Sequence, residues 1–127
     1  MNINTHKRIN KKLWGTPKKV MDGRAEVELV LTEDFSADEY GLIHGGTIFG
    51  LADYAAMLAV NHPNVVLAKA EVKFLKPCVV GDKVVAEAKI TQKQDKKNIV
   101  RVEVKKQGDV IFAGDFLCIV PSKHVLM

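Results

Sequence analysis

Between Arg24 and Leu31 apolar and polar residues alternate: Ala25, Val27, Leu29 and Leu31 fall on one face, and Arg24, Glu26, Glu28 and Val30 on the other. A period of two predicts a half-buried strand. The pattern then breaks, and Thr32 to Tyr40 reads as a polar, acidic loop. From Thr47 to Val60, inside the stretch Gly41 to Asn61, nearly every residue is apolar or small. A helix that is apolar almost all round is buried on most sides. His62-Pro63-Asn64 stops it.

Four further period-two segments follow. In Val66 to Lys76 the apolar series is Val66, Ala68, Ala70, Val72 and Phe74, opposed by Lys69, Glu71 and Lys73. In Val84 to Ile90, Val84, Ala86, Ala88 and Ile90 oppose Val85, Glu87 and Lys89. In Asn98 to Lys105, Val100, Val102 and Val104 oppose Arg101, Glu103 and Lys105, and Val110 to Val120 is apolar on most of both faces. Turns are marked at Asp22-Gly23, Gly81-Asp82, Asp95 to Asn98 and Gly108-Asp109. Upstream, Asn4 to Leu13 reads as a short basic helix tucked in by Ile9, Leu13 and Trp14, and Trp14 to Val20 as a short strand. The order is β-α-β-β-β-β with an extra N-terminal strand. Tight turns predict an antiparallel meander of the last four strands. One apolar helix and several one-faced strands predict an α+β fold, an antiparallel five- or six-stranded sheet wrapped around a single central helix.

Asp53 is the one charge in that helix. A carboxylate there is costly unless it is paired, hydrogen-bonded or used. Tyr54 and Thr47 are the neighbours that could satisfy it. Gly46, Gly50, Asp53 and Met57 lie three and four positions apart and so form one stripe, while Ile48, Leu51, Ala52, Ala55, Leu58 and Ala59 look like the sheet-facing core. The small stripe is expected to be covered by a second protomer or by a substrate. His44-Gly45-Gly46 stands where the helix begins. Its first N–H groups have no internal partner and carry the positive dipole end, a ready oxyanion site. A carbonyl polarised there, with a carboxylate to attack it or to activate water, would make a hydrolase of acyl compounds. Gly45 and Asp53 are eight positions apart, roughly 12 Å at ~1.5 Å per residue. Both can act on one carbonyl only if Asp53 comes from a second subunit whose helix runs antiparallel, which predicts an obligate dimer with two equivalent sites.

Composition narrows the class further. The chain has 127 residues, 47% of them hydrophobic and 27% charged, enough for one domain with a core: an extension over residues 1–13, a body over 14–120 and a tail over 121–127. No apolar run reaches the ~20 residues of a bilayer span, and the first residues, MNINTHKRINKK, lack the apolar segment of a secretion signal. A cytoplasmic protein that neither crosses nor docks on a membrane is expected. The net charge of +4, from 19 Lys+Arg against 15 Asp+Glu, is spread along the chain. It would suit an anionic small ligand as well as nucleic acid and decides neither, and a single short basic helix is not a helix-turn-helix, so no nucleic-acid partner is expected. Cys78 and Cys118 lack metal-ligand spacing and read as reduced core thiols. His6, His62 and His124 have no metal-like or triad spacing and read as surface residues.

The stretch HGGTIFGLADYAAMLAVN at 44–61, with its acid nine residues after the histidine, resembles the hotdog-fold acyl-CoA thioesterases, especially their phenylacetyl-CoA-type branch. The likeness continues in KFLKP at 73–77 and GD at 81–82 and covers about residues 14–120. It implies a hotdog fold, a dimer with one continuous sheet, a tetramer of two such dimers, and hydrolysis of a coenzyme A thioester with no metal and no cofactor beyond the coenzyme A of the substrate. By position, the Gly45 N–H would polarise the thioester carbonyl, Asp53 of the partner chain would be nucleophile or general base, and His44 would shape the start of the helix beside the thioester. Gly46 belongs to the same motif. Asp38, six residues before the histidine, stands where the family often has asparagine, which makes it a weaker substrate-binding candidate; the family's glycine three before the histidine is kept as Gly41. Lys73 and Lys76, around Phe74-Leu75, fall where the family's strand meets the coenzyme, although exposed strand lysines would look the same. Phe49, Met57 and Phe74 are candidates to line the acyl pocket, with the acyl group unassigned. The alternative is a hotdog module that binds acyl-CoA or an acyl carrier without hydrolysis. Such regulators carry a DNA-binding domain before the hotdog, and retention of the acid favours the enzyme.

Overall fold

The alternating segments become six strands in a computed structural model that describes residues 1–127. In chain order the elements are α1 (Lys11–Trp14), β1 (Thr16–Met21), β2 (Arg24–Val30), a 3-10 turn (Glu33–Phe35), α2 (Gly45–Val60), β3 (Val66–Phe74), β4 (Lys83–Gln94), β5 (Lys97–Lys106) and β6 (Asp109–Ile119). All strands pair antiparallel in the order β1-β2-β4-β5-β6-β3. The sheet curls around α2, which packs chiefly on β2, β4 and β5. This is the hotdog architecture.

The inward series of Val27, Val84, Ala86, Val100, Val102 and Val104 is fully buried against Leu51, Ala55 and Leu58 of α2. Each large apolar side chain removed from water in this way stabilises by roughly 1.5–3 kcal/mol. Two-residue connections set the registers. Lys106 pairs with Asp109 across Gln107 and Gly108, which have φ 49 and 85, the double positive φ of a type I′ hairpin.

Three expectations need correction. The meander covers only β4, β5 and β6, because β3 pairs with β6 at the sheet edge rather than with β4. The Gly81-Asp82 turn signal does not close a hairpin. The whole segment from Leu75 to Asp82 is a crossing connection whose backbone bonds go elsewhere: Leu75 and Lys76 N–H to Ile111, Val80 N–H to Gly41 and Gly81 N–H to Leu31. Second, the apolar series of β3 changes face. A bulge between Leu67 and Lys69 pushes Ala68 out into solvent, so Leu67 rather than Ala68 meets the core. Such bulges are common on edge strands.

Third, Asn4 to Leu13 is not a helix. Helical structure is confined to Lys11–Trp14, capped by the Asn10 side chain, which accepts from Lys12 N–H at 3.0 Å. His6 has φ 49, a left-handed backbone that ends any helix through it. The residues before it form an arm whose polar backbone is satisfied by α2: Asn61 Oδ1 accepts from Asn4 N–H and Asn61 Nδ2 donates to the Asn2 carbonyl, both at 2.7 Å. Ile9 and Trp14 reach the core as expected, while Leu13 is left exposed.

The arm and α1 also change the reading of the small stripe on α2. Met57 is only 1% exposed and belongs to the core cluster. Gly50 is covered by the chain's own Trp14, and a Cβ there would run into the indole ring. Gly50→Ala is therefore expected to evict Trp14 and lower stability by about 1–3 kcal/mol, seen as a lower urea midpoint with an unchanged m-value. A midpoint equal to wild type would refute this packing.

Candidate active site

The start of α2 is built from backbone. His44 is the N-cap with extended φ −61 and ψ 129, and its side chain makes no capping bond. Its own N–H is held by the Phe35 carbonyl at 2.9 Å, and its carbonyl takes the Thr47 N–H at 3.0 Å. The Gly45 and Gly46 N–H groups have no hydrogen bond within the chain, so two donors at the positive end of a 16-residue helix remain free for an anion or a polarised carbonyl. Glycine keeps this spot open. A Cβ on Gly45 would lie 3.3 Å from the Phe74 ring, and one on Gly46 would lie 2.7 Å from His44 Nε2. Phe74 packs edge-on against Phe112 with centroids 5.1 Å apart. Phe74 stands exposed beside Gly45, and Leu42 and Val79, paired with each other, are exposed as well.

The remaining candidates have definite places. Asp38 Oδ1 accepts from the Tyr40 and Leu42 N–H groups at 2.9 and 3.1 Å, which turns the loop that delivers His44. Phe49 is half-buried and packs on Phe116 at 5.5 Å. Lys73 is exposed on β3, and Lys76 is exposed and pairs with Asp109 at 3.7 Å.

Asp53 lies two turns further along α2. Neither Tyr54 nor Thr47 bonds to it, and its Oδ1 is buried with no hydrogen-bond partner. Burial pushes its carboxyl up from 3.8 to about 6, because removal from water disfavours the charged form. Burial, and secondarily the Asp53 charge, push the Cys118 thiol up to about 12. Asp53, Met57 and Val65 line an open cleft of about 370 Å³, whose other walls include Thr5, His6 and His124. His6 and His124 are exposed, as their sequence context predicts, and both line the cleft that the buried acid also lines. Nothing in their spacing signals this, because the arm reaches Asp53 only through the clasp of Asn61, 57 positions from Asn4. The groups Gly45 and Asp53 are not brought together within one chain; they occupy opposite stretches of the same helix.

A curled antiparallel sheet around one helix defines a hotdog protein, here with a glycine start and a buried acid on that helix. The family comparison agrees: residues 40–113 match the thioesterase superfamily, and the chain belongs to that superfamily. It is 53% identical over 119 residues to a protein of Aquifex aeolicus named methylthioribose-1-phosphate isomerase, a match that covers 94% of this chain and 26% of that protein. It is 27% identical over 95 residues to the transcription factor FapR of Caldanaerobacter subterraneus, covering 75% of this chain and 48% of the regulator. The chain therefore spans a quarter to a half of the length of these two relatives. An uncharacterized protein of Pyrococcus horikoshii has a crystal structure that superposes with a TM-score of 0.99 at 53% identity, covering 100% of this chain and 98% of that one. No helix is long and apolar enough to cross a membrane.

Proposed function

We propose that this protein is a cytoplasmic acyl-CoA thioesterase, a single hotdog domain working as a homodimer that assembles in pairs into a tetramer, with no cofactor of its own. The observation that carries the reading is Asp53, a carboxylate whose Oδ1 is buried without a partner on a helix whose first N–H groups are free. The Gly45 N–H would accept the developing negative charge of the thioester oxygen, a contribution worth about 10²- to 10³-fold in rate. Asp53 of the partner subunit would remove a proton from the attacking water. A carboxyl near 6 is ionised at neutral pH yet basic enough for this task, which favours the base over the nucleophile. Water adds to the carbonyl carbon, the C–S bond breaks, and the products are the free acid and coenzyme A. Phe49 and Phe74 supply apolar surface for the acyl group, Met57 belonging to the core instead, and Lys73 and Lys76 supply cations toward the coenzyme's phosphates.

The test is a panel of short, medium, long and aryl acyl-CoAs with a free-thiol readout. Turnover of at least one member is expected. The protein's own thiols add little background, since Cys78 and Cys118 are both buried. The likeness to a transcription factor supports a second reading, a module that captures acyl-CoA without hydrolysis. Tight binding with no turnover on any member would establish that reading instead.

A further inference from the structure

The clasp of Asn61 on Asn2 and Asn4 lays the N-terminal arm along the Asp53 side of α2. Thr5 is 3% exposed there, and its Oγ1 lies 2.7 Å from His6 Nδ1. The His6 ring stands 6.5 Å from the Tyr54 ring, tilted by 38°, and its backbone holds φ 49, a conformation seldom kept by a residue other than glycine without a reason. One hydrogen bond and one ring contact thus place the exposed His6 imidazole in the wall of the cleft that Asp53 lines.

We infer that His6 is a second residue of the reaction centre: its Nε2 accepts a hydrogen bond from the same water that the Asp53 carboxylate deprotonates. The inference rests on the thioesterase reading and adds to it the group that orients the nucleophile. The inferred tautomer is the one in which Nδ1–H donates to Thr5 Oγ1, so that Nε2 carries its lone pair. A water that gives one proton to Asp53 and directs the other at Nε2 has its remaining electron pairs turned toward the thioester carbon. As the C–O bond forms, the first proton passes to Asp53; as the C–S bond breaks, that proton goes to the departing thiolate, and the second stays with the acid product. Burial holds His6 below its ordinary value, so the ring is neutral at neutral pH and the lone pair is available. Thr5 bonds the ring and Tyr54 of α2 stands against it; Asp53 of α2 and His124 of the C-terminal segment are the titratable groups that share its cleft, Lys7 and Arg8 follow it in the chain, and no lysine, arginine or glutamate lines the cleft.

The experiment uses the full chain on the acyl-CoA it turns over best, with Asp53→Asn as reference. His6→Gln is expected to lower kcat about 100-fold with KM little changed, and Thr5→Val, which frees the ring without removing it, to reproduce part of that loss. Below pH 6, log kcat against pH should approach a slope of two in wild type, where two groups must be unprotonated, and a slope of one in His6→Gln. A structural role for the arm would lower activity without changing the slope. A kcat in His6→Gln close to wild type, a slope of two retained in that variant, or a slope lost instead in His124→Gln would each overturn the inference while leaving Asp53 as the base. Absence of turnover by wild type on every acyl-CoA would overturn the thioesterase reading and this inference together.

Discussion

Asp53→Asn is expected to abolish thioester hydrolysis, by about 10³-fold or more in kcat, and at the same time to make the protein more stable. The second effect follows from the first residue's surroundings. The folded chain raises the carboxyl from 3.8 to about 6, so folding favours the protonated acid. Below about pH 4 both folded and unfolded chains hold the proton, and Asp53 costs little. As pH rises from there through 6 the unfolded chain sheds its proton first, and the native state loses stability until Asp53 is ionised in both. A two-unit shift corresponds to about 3 kcal/mol; allowing for partial solvent contact, Asp53→Asn should gain about 1–3 kcal/mol at pH 7. Urea unfolding of both proteins at pH 4 and pH 7, at one protein concentration, checks this. The gain should be several-fold smaller at the lower pH. An equal gain at both would mean that burial of the charge is not its cause.

Gly45→Pro removes a single N–H and is expected to reduce kcat by about 10²- to 10³-fold with the fold intact. Proline is at home at the first position of a helix, and the residue before it, His44, already has the extended backbone that a following proline requires. The ring must displace Phe74, which is 56% exposed, by a few tenths of an ångström. The variant also tests the assembly. In a dimer whose sites each combine Gly45 of one chain with Asp53 of the other, mixing Gly45→Pro with Asp53→Asn protomers creates hybrids with one intact site. Random re-pairing should restore about a quarter of wild-type activity. If the mixture stays as inactive as its parts, the two groups do not meet across an interface.

The strands and the central helix were legible because each obeys a local rule: period two for strands, a continuous apolar run for α2, and Gly, Asp and Asn at turns. The pairing of β3 was not, because β3 meets β6 across two intervening strands and nothing local in Val66 to Phe74 names that partner. The bulge at Ala68 hides for the same reason. On the site, Asp53 stood out as a charge without a local justification, and the free N–H groups followed from HGG at a helix start. The closure of the small stripe could not be read. Helical spacing shows which residues share a face, but which residue of α2 Trp14 covers, and that Thr5 and His6 of the arm share a cleft with Asp53, are long-range outcomes that no local pattern names.

Trp14 is the protein's single tryptophan, and its ring covers Gly50, about one helical turn before Asp53. Its emission therefore reports on the face of the helix where the buried acid sits, with no label and no competing indole. Acyl-CoA titration, protomer exchange and displacement of the arm can each be followed by the colour and anisotropy of one native fluorophore, in the same cuvette that measures release of thiol.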